Sequence, residues 1–447
     1  VGCPHGGHAD AMGSGSAHGH CLFTAALPVV LTAALQAARA AFLAAEGRAW
    51  RAFIHEWQPR ESRGAHGQRG RGVVLIGGKA HVRHTLAAYY TLDALLAIAA
   101  LRRSGCRLPV ELWHDHDEAL IDAFSVKSVR ALLQESGDII LRDVSDASGR
   151  AKRFAYGLKP YVMMHSSFDE LLFLDADNVP VADPTPLFST AEYLATGAVF
   201  WADFKSLRLN HLIWPVLGID PVPTQLLDSG QVLIDRLRHQ RMLALAGFFQ
   251  QRYARVYVHP PFYFIGDKDM FLLASLALSA PFHVAGPCGL VGYLSSPGPG
   301  GRSLCGHSFL HGPPGRPHEP LFLHRVSAKW SSSEAAPYLR AGALKRGRPT
   351  TERPGTTSLL VGPRPPGECR PCPHHGPAGD DDRCFDLDTA LDRSPAAGAA
   401  LARLRRLEAR LLRLRGLIAR NSSLLPRWWE AWAATAAAAR APPAAGP

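Results

Sequence analysis

The sequence predicts an α/β fold, a mostly parallel, Rossmann-like central sheet flanked by helices, with a C-terminal helical extension. Two observations predict it. Between Gly72 and Asp175, four short apolar runs alternate with three longer stretches of helical pattern, as strands do when crossover helices join them. Hydrophobic residues make up 47 % of 447 and charged residues 19 %, enough for a sizeable core.

Each element follows from local pattern. "GVVLIGG" (72–78) is an apolar run closed by glycines and predicts a strand. A helical pattern follows over 81–103. "PVELWHD" (109–115) and "DIILRDV" (138–144) predict two further strands, with a helix over 117–135 between them. A helix over 154–167 leads into a fourth strand at 170–175. Such strands pair in parallel through right-handed crossovers. Beyond them, "GAVFWADF" (197–204) reads as a strand. "DSGQVLIDR" (228–236) reads as a strand opening a helix that reaches about Tyr253. "GDKDMFLLASLALS" (266–279) begins with acids and continues as a buried helix. "FHVAGP" (282–287) and "LFLHRV" (321–326) are two more strands, with a Gly/Pro-rich loop expected over 294–318.

This divides the chain into four parts. Residues 1–71 hold a Gly/His/Ser-rich segment expected to be disordered, a helix and a linker over 60–71. Residues 72–335 form the main α/β domain. Residues 336–395 are a Pro/Gly-rich linker, and 396–447 a basic tail with a helix over 396–420. Uncharged "CLFTAALPVVLTAAL" (21–35) is too short for a membrane span and reads as a packed helix; an anchor ahead of Val1 stays open.

The net charge of +11 is unevenly spread. From Leu401 to Pro447 nine arginines face two glutamates, so the tail holds +7 of it. No nucleic-acid partner is expected, because the main domain lacks the basic excess that phosphate binding needs. Leu404, Leu407, Leu411, Leu414 and Ile418 form an apolar stripe on the tail, suited to packing on the body or to an anionic membrane surface. The eight cysteines form no dense disulfide pattern. Cys106 is expected to be buried. Cys369, Cys372 and Cys384, with His374 and His375, have an irregular spacing that fits loop thiols or disulfides better than zinc.

The chemistry centres on "FDELLFLDADNVPVADPTPLF" (168–188). A buried strand ends on Asp175 and Asp177, at the carboxyl edge where α/β sheets bind ligands. A period of two sends both side chains to one side. Two carboxylates so close repel each other unless a cation lies between them, and oxygen ligands suit Mg²⁺ or Mn²⁺. The plain alternative is a turn at a strand end, with Asp183-Pro184 starting a short helix.

The D-x-D, the later D-S-G (Asp228), the G-D-K-D (Asp267, Asp269) and the late L-F-L-H form a set. These segments, with "GVVLIGG", "SGCRLPVELWHD", "LKPYVMMHSSFDELLFLDADNVPVADPTPLF", "AVFWADF" and "LFLHRVSAKW", resemble the fungal-type alpha-mannosyltransferases of glycosyltransferase family 71. The resemblance covers about residues 70–330, and 168–188 is its most specific part. It implies a GT-A fold, a divalent cation (Mn²⁺ or Mg²⁺), a sugar nucleotide that would be GDP-mannose, and a glycan or glycoprotein acceptor. It also implies retention of the alpha linkage and a Golgi or ER lumenal, type II membrane setting. Asp175 and Asp177 match the metal motif, and His324 matches the late histidine that completes it.

Further roles follow from that likeness. Lys159 and Lys329 are candidate diphosphate contacts, and Asp175 also faces the donor. Gly77 and Gly78, in a turn without P-loop spacing, would let the nucleoside approach. Asp228, Asp267 and Asp269 are candidates near the reacting carbon, although Asp267 and Asp269 also suit a helix N-terminus. Asp228 reads as a nucleophile or as a charge that stabilises an oxocarbenium-like species. Trp201 and Asp203 are acceptor candidates, with Trp201 equally suited to the core. Trp113 to Asp117 (WHDHD) looks metal-like but reads as a solvated loop. Three other functions share parts of this pattern: a transferase using a UDP-sugar (galactose, glucose or arabinose), a non-catalytic glycan-binding module, and a D-x-D phosphatase. The phosphatase motif belongs on a first strand, whereas three strand–helix units precede it here.

Overall fold

The computed structural model describes residues 20–59, 70–77, 87–114, 139–144, 158–264, 267–286, 289–294, 303–317, 319–325, 358–360, 384–386 and 406. Within them the expected strands are present: β1 (Arg71–Ile76), β2 (Val110–His114), β3 (Ile139–Asp143) and β4 (Glu170–Leu174). They lie side by side and parallel in the order β3-β2-β1-β4. β7 (Thr224–Asp235) then joins antiparallel to β4, followed by β6 (Ala198–Leu207) and β8 (His283–Ala285). The seven-stranded sheet is therefore mixed, with its parallel half where the alternating pattern placed it.

Strand periodicity feeds two apolar layers. On β1, Val73 and Leu75 enter one cluster with helix α2 (Ala87–Arg103), while Val74 and Ile76 enter the other. The second layer holds α3 (Leu158–His165), α6 (Gln240–Arg252) and α7 (Asp269–Ala277). Between them in the chain come α4 (Ala191–Thr196) and α5 (Ile213–Leu217).

The N-terminal helix, α1 (His20–Glu56), belongs to the same body. Leu43, Glu46, Trp50 and Ile54 are buried along one face at helical spacing. Trp50 Nε1 donates to Val216 O at 2.8 Å, and Arg252 pairs with buried Glu46. Among the described residues, no helix is long and apolar enough to cross a membrane.

A second, six-stranded sheet was not foreseen. Its order is β12 (Ser358–Leu360), β9 (Gly289–Leu294), β10 (Ser303–His311), β11 (Phe322–His324) and β5 (Asn178–Pro180), with β13 (Cys384–Asp386) also on β10. The loop expected over 294–318 contains β10 (Ser303–His311), which pairs with β9 (Gly289–Leu294) and with β11 (Phe322–His324). The flanking glycines and prolines masked a strand whose partners are distant in sequence. Within the expected linker, β12 (Ser358–Leu360) and β13 (Cys384–Asp386) pair with β9 and β10. The strand expected from Asp228 begins earlier, at Thr224, and α6 starts only at Gln240. Cys106 is buried and free. The helix expected over 117–135, the stretch Asp115–Asp117, Cys369 to His375 and, Arg406 excepted, the tail lie outside the described residues.

Candidate active site and metal centre

Asp175 and Asp177 leave the strand before they act. β4 ends at Leu174, and Asn178 N donates to Asp175 O at 3.0 Å, closing a tight turn over 175–178. The two carboxylates converge because of this turn, not through strand alternation. Asn178 then opens β5 (Asn178–Pro180), where it pairs in register with His324 of β11. Arg325 N donates to Asp177 O at 3.1 Å on the same ladder. One antiparallel bridge thus carries the late histidine to the acidic turn across nearly 150 residues of chain.

One ligand atom each from Asp175, Asp177 and His324 lies within 4.8 Å of the other two. His324 Nε2 is 3.4 Å from Asp177 Oδ1 and 3.9 Å from Asp175 Oδ2. Its Nδ1 lies 2.9 Å from both carboxylate oxygens of Asp228. That contact leaves Nε2 as the nitrogen turned to the acids. A carboxylate holding the far nitrogen of a ligand histidine fixes the ring and raises its basicity. The donor set of two carboxylates and one imidazole fits a divalent cation such as Mn²⁺.

Asp228 is nearly enclosed, with 4 % of its side chain exposed. His311 Nε2 lies 2.9 Å from Oδ2, and Gly230 N donates to Oδ1 at 3.0 Å. Burial alone would raise its pKa, but the His324 and His311 imidazoles hold the carboxyl well below the usual range. Burial acts against the charge of His324 too, and Asp228 and Asp175 raise its pKa nonetheless. The glycine of D-S-G has a steric reason. A Cβ on Gly230 would stand 2.4 Å from His324 Nδ1, so the ring packs flat against bare backbone.

Lys159, from α3, enters the same site. Its Nζ is 2.8 Å from Asp175 Oδ2 and 2.8 Å from Asp267 Oδ2, and it donates to Ser229 Oγ at 3.0 Å. Burial opposes the ammonium charge, yet the two carboxylates outweigh it and raise the pKa. Asp267 is braced from several sides. Gln250 Nε2 donates to its carbonyl, and the adjacent Lys268 pairs with Asp203 at 2.7 Å and Asp269 at 3.2 Å.

The three acids expected near the reacting carbon therefore differ in position. Asp267 has 15 % of its side chain exposed, against 4 % for Asp228 and 1 % for Asp269. Asp269 accepts from Leu227 N at 3.1 Å, and burial pushes its carboxyl up to about 6. Neither Asp267 nor Asp269 caps α7, whose N-cap is Lys268 with no side-chain cap bond. Asp203 is buried against Lys268. Trp201 is in the core. Its indole N–H donates to Gly312 O at 2.8 Å and its ring meets Phe322 edge-on. Gly77 follows β1, its N–H bonded to Trp113 O at 2.9 Å. Gly78 and Lys329 lie outside the described residues. Asp183 does what the plain reading gave it: Oδ1 accepts from Thr185 N at 2.9 Å at the start of a short 3₁₀ turn.

Sequence reading missed His311, Ser229, Gly230 and Lys268. His311 fell in the expected loop. Gly230 was visible inside D-S-G, but only the ring above it explains why it is glycine.

The mixed sheet, with its acidic turn at the end of β4, makes an α/β fold of the GT-A type. The chain belongs to the family described as putative mannosyltransferases, whose model matches residues 70–215 and 219–312, more than half of it. It is 26 % identical over 265 residues to alpha-1,2-mannosyltransferase MNN24 of Candida albicans, covering 49 % of this chain and 34 % of that protein. It is 25 % identical over 292 residues to alpha-1,2-mannosyltransferase MNN2 of Saccharomyces cerevisiae, covering 54 % and 46 %. The chain spans less than half the length of either relative. Among solved structures it is similar to the galactosyltransferase LgtC, at 14 % identity and a TM-score of 0.34 over 48 % of this chain and 73 % of that one. It is also similar to the glycosyltransferase GlyE of Streptococcus pneumoniae TIGR4, at 18 % and 0.30 over 48 % and 46 %.

Proposed function

We propose that this chain catalyses divalent-cation-dependent transfer of mannose, from GDP-mannose, to a glycan or glycoprotein acceptor with retention of the alpha linkage. One observation carries the reading: in a chain of a mannosyltransferase family, Asp175, Asp177 and His324 converge with Nε2 turned to the acids, because Asp228 holds Nδ1. The curated relatives' names support mannose and an alpha-1,2 linkage. The setting proposed is the Golgi or ER lumen, where the resembling family builds mannose branches.

Asp175, Asp177 and His324 would hold Mn²⁺ or Mg²⁺. Such an ion, when bound, neutralises charge on a departing diphosphate, an effect of several kcal/mol. Lys159 contributes a buried positive charge beside Asp175 and is assigned to the diphosphate. Asp267, the more open of the three candidate acids, is assigned to the sugar side of the site. The acceptor hydroxyl attacks the anomeric carbon on the face that the diphosphate leaves. The bond from that carbon to phosphate oxygen breaks, and the hydroxyl proton passes to the leaving oxygen. Asp228 is assigned to positioning rather than attack, since His311, His324 and the Gly230 N–H take up both its oxygens. A glycosyl adduct trapped on Asp228 in mass spectrometry would reject that assignment.

The test is a panel of sugar nucleotides, GDP-mannose and UDP-sugars together, scored for Mn²⁺-dependent turnover. GDP-mannose turnover that EDTA removes is expected, and Asp177→Ala should abolish it while the circular dichroism spectrum stays unchanged. Turnover of a UDP-sugar alone would move the donor. Metal-independent turnover, or full activity in Asp177→Ala, would overturn the metal assignment.

A further inference from the structure

One oxygen of the acidic turn is engaged from two sides. Asp175 Oδ2 is the atom 3.9 Å from His324 Nε2, and it is also the atom 2.8 Å from Lys159 Nζ. Lys159 is itself almost enclosed, with 4 % of its side chain exposed, so it cannot swing away into water. Its other partner, Asp267 Oδ2 at 2.8 Å, is fixed by the Gln250 bond to its carbonyl and the Lys268–Asp203 pair beside it. Ser229 supplies two more contacts, Oγ at 3.0 Å and its carbonyl at 3.3 Å. The lysine is held on rigid supports, with its charge directed at one oxygen of the candidate metal centre.

We propose that Lys159 is a built-in counter-cation that competes with the divalent ion for Asp175, and so weakens metal binding until a diphosphate bound beside it neutralises its charge in place. The inference rests on the metal reading given above. A fixed positive charge within a few ångströms of a cation site opposes a second cation, and burial reduces the screening that water would provide. A donor diphosphate offers Lys159 a new anionic partner, which relieves that competition. Metal and donor therefore bind cooperatively, each favouring the other by the same factor.

The experiment is calorimetric titration of the folded, purified chain with Mn²⁺ alone and with Mn²⁺ in the presence of GDP. Wild type is compared with Lys159→Met, which keeps an unbranched side chain one atom shorter and removes its charge, and with Lys159→Arg, which keeps the charge. Lys159→Met is expected to bind Mn²⁺ alone about tenfold more tightly than wild type, and to lose most of the gain in Mn²⁺ affinity that GDP confers. Lys159→Arg is expected to bind Mn²⁺ within about twofold of wild type and to keep that gain. Equal or weaker Mn²⁺ binding by Lys159→Met would overturn the inference while leaving the metal reading intact. Absence of Mn²⁺ binding in wild type would instead remove the metal reading itself. If Lys159→Met does not fold, Lys159→Arg still decides: loss of the GDP effect with the charge retained would overturn the proposal.

Discussion

His324 and Asp228, 96 residues apart, meet with Nδ1 2.9 Å from both carboxylate oxygens. The contact joins β11 of the second sheet to β7 of the first. It also decides which nitrogen of His324 faces Asp175 and Asp177. Asp228→Asn keeps the shape but lets an amide N–H face the ring, which favours the other tautomer. Mn²⁺ affinity is expected to fall by about 10- to 100-fold with the fold retained. Titration calorimetry measures it, and unchanged affinity would show that Asp228 does not set the ring.

Gly230→Ala tests the steric half of the same contact. The added Cβ would stand 2.4 Å from His324 Nδ1, a distance that must be relieved by moving the ring. The three nearest atoms all belong to the His324 ring, so the ring yields first. Loss of Mn²⁺ binding is expected, with destabilisation of about 1–3 kcal/mol in urea unfolding. Wild-type binding by this variant would mean that His324 does not need the close approach.

Trp201 separates an acceptor role from a core role. It is 1 % exposed, donates to Gly312 O and packs on Phe322. Trp201→Phe leaves a buried carbonyl without its donor and should cost about 1–3 kcal/mol. The Michaelis constant for acceptor is expected to stay as it is. A raised acceptor constant with unchanged stability would place the indole at the substrate instead.

His211 gives the protein a pH-sensitive contact away from the site. Nε2 lies 2.9 Å from Phe262 O, and Nδ1 accepts from Ile213 N at 3.1 Å, a pair of bonds only the neutral ring can make. Burial lowers its pKa below the ordinary 6.5. The folded state thus releases this proton more readily than the unfolded chain. The stability it contributes is complete above 6.5 and is lost as pH falls through the lower folded value. His211→Leu should lose that dependence. Urea midpoints at about pH 7.5 and about pH 5.5 should show the wild-type advantage shrinking at the acid end. An advantage equal at both would refute the assignment.

The parallel half of the sheet was legible because its signals are local. The four apolar runs from Gly72 to Leu174 lie close together, and each strand needs only its own residues and the crossover that follows. The acidic turn was legible for the same reason. The second sheet was not, because β10 lies among glycines and prolines and is fixed by pairing with β9 and β11. That sheet brings His311 and His324 to Asp228, so the support behind the candidate metal ligands was hidden with it. The separation of Asp228, Asp267 and Asp269 into an acid held by two imidazoles, a partly open acid and a buried one was also beyond the sequence. All three look alike as aspartates near turns, and only the neighbours that enclose them tell them apart.

The sequence by itself determined the α/β class, the parallel strands and the carboxylate pair, since each rests on residue pattern within a short window, and the likeness that picks out His324, which rests on a series of such windows. The tertiary structure alone decided that Asp175 and Asp177 converge through a turn, that Asp228 holds His324, that Gly230 makes room for its ring, and that Lys159 bridges Asp175 and Asp267. The last three of these relationships join residues 16 to 108 positions apart, and contact between such residues depends on how the strands pair and cross, which no local pattern encodes.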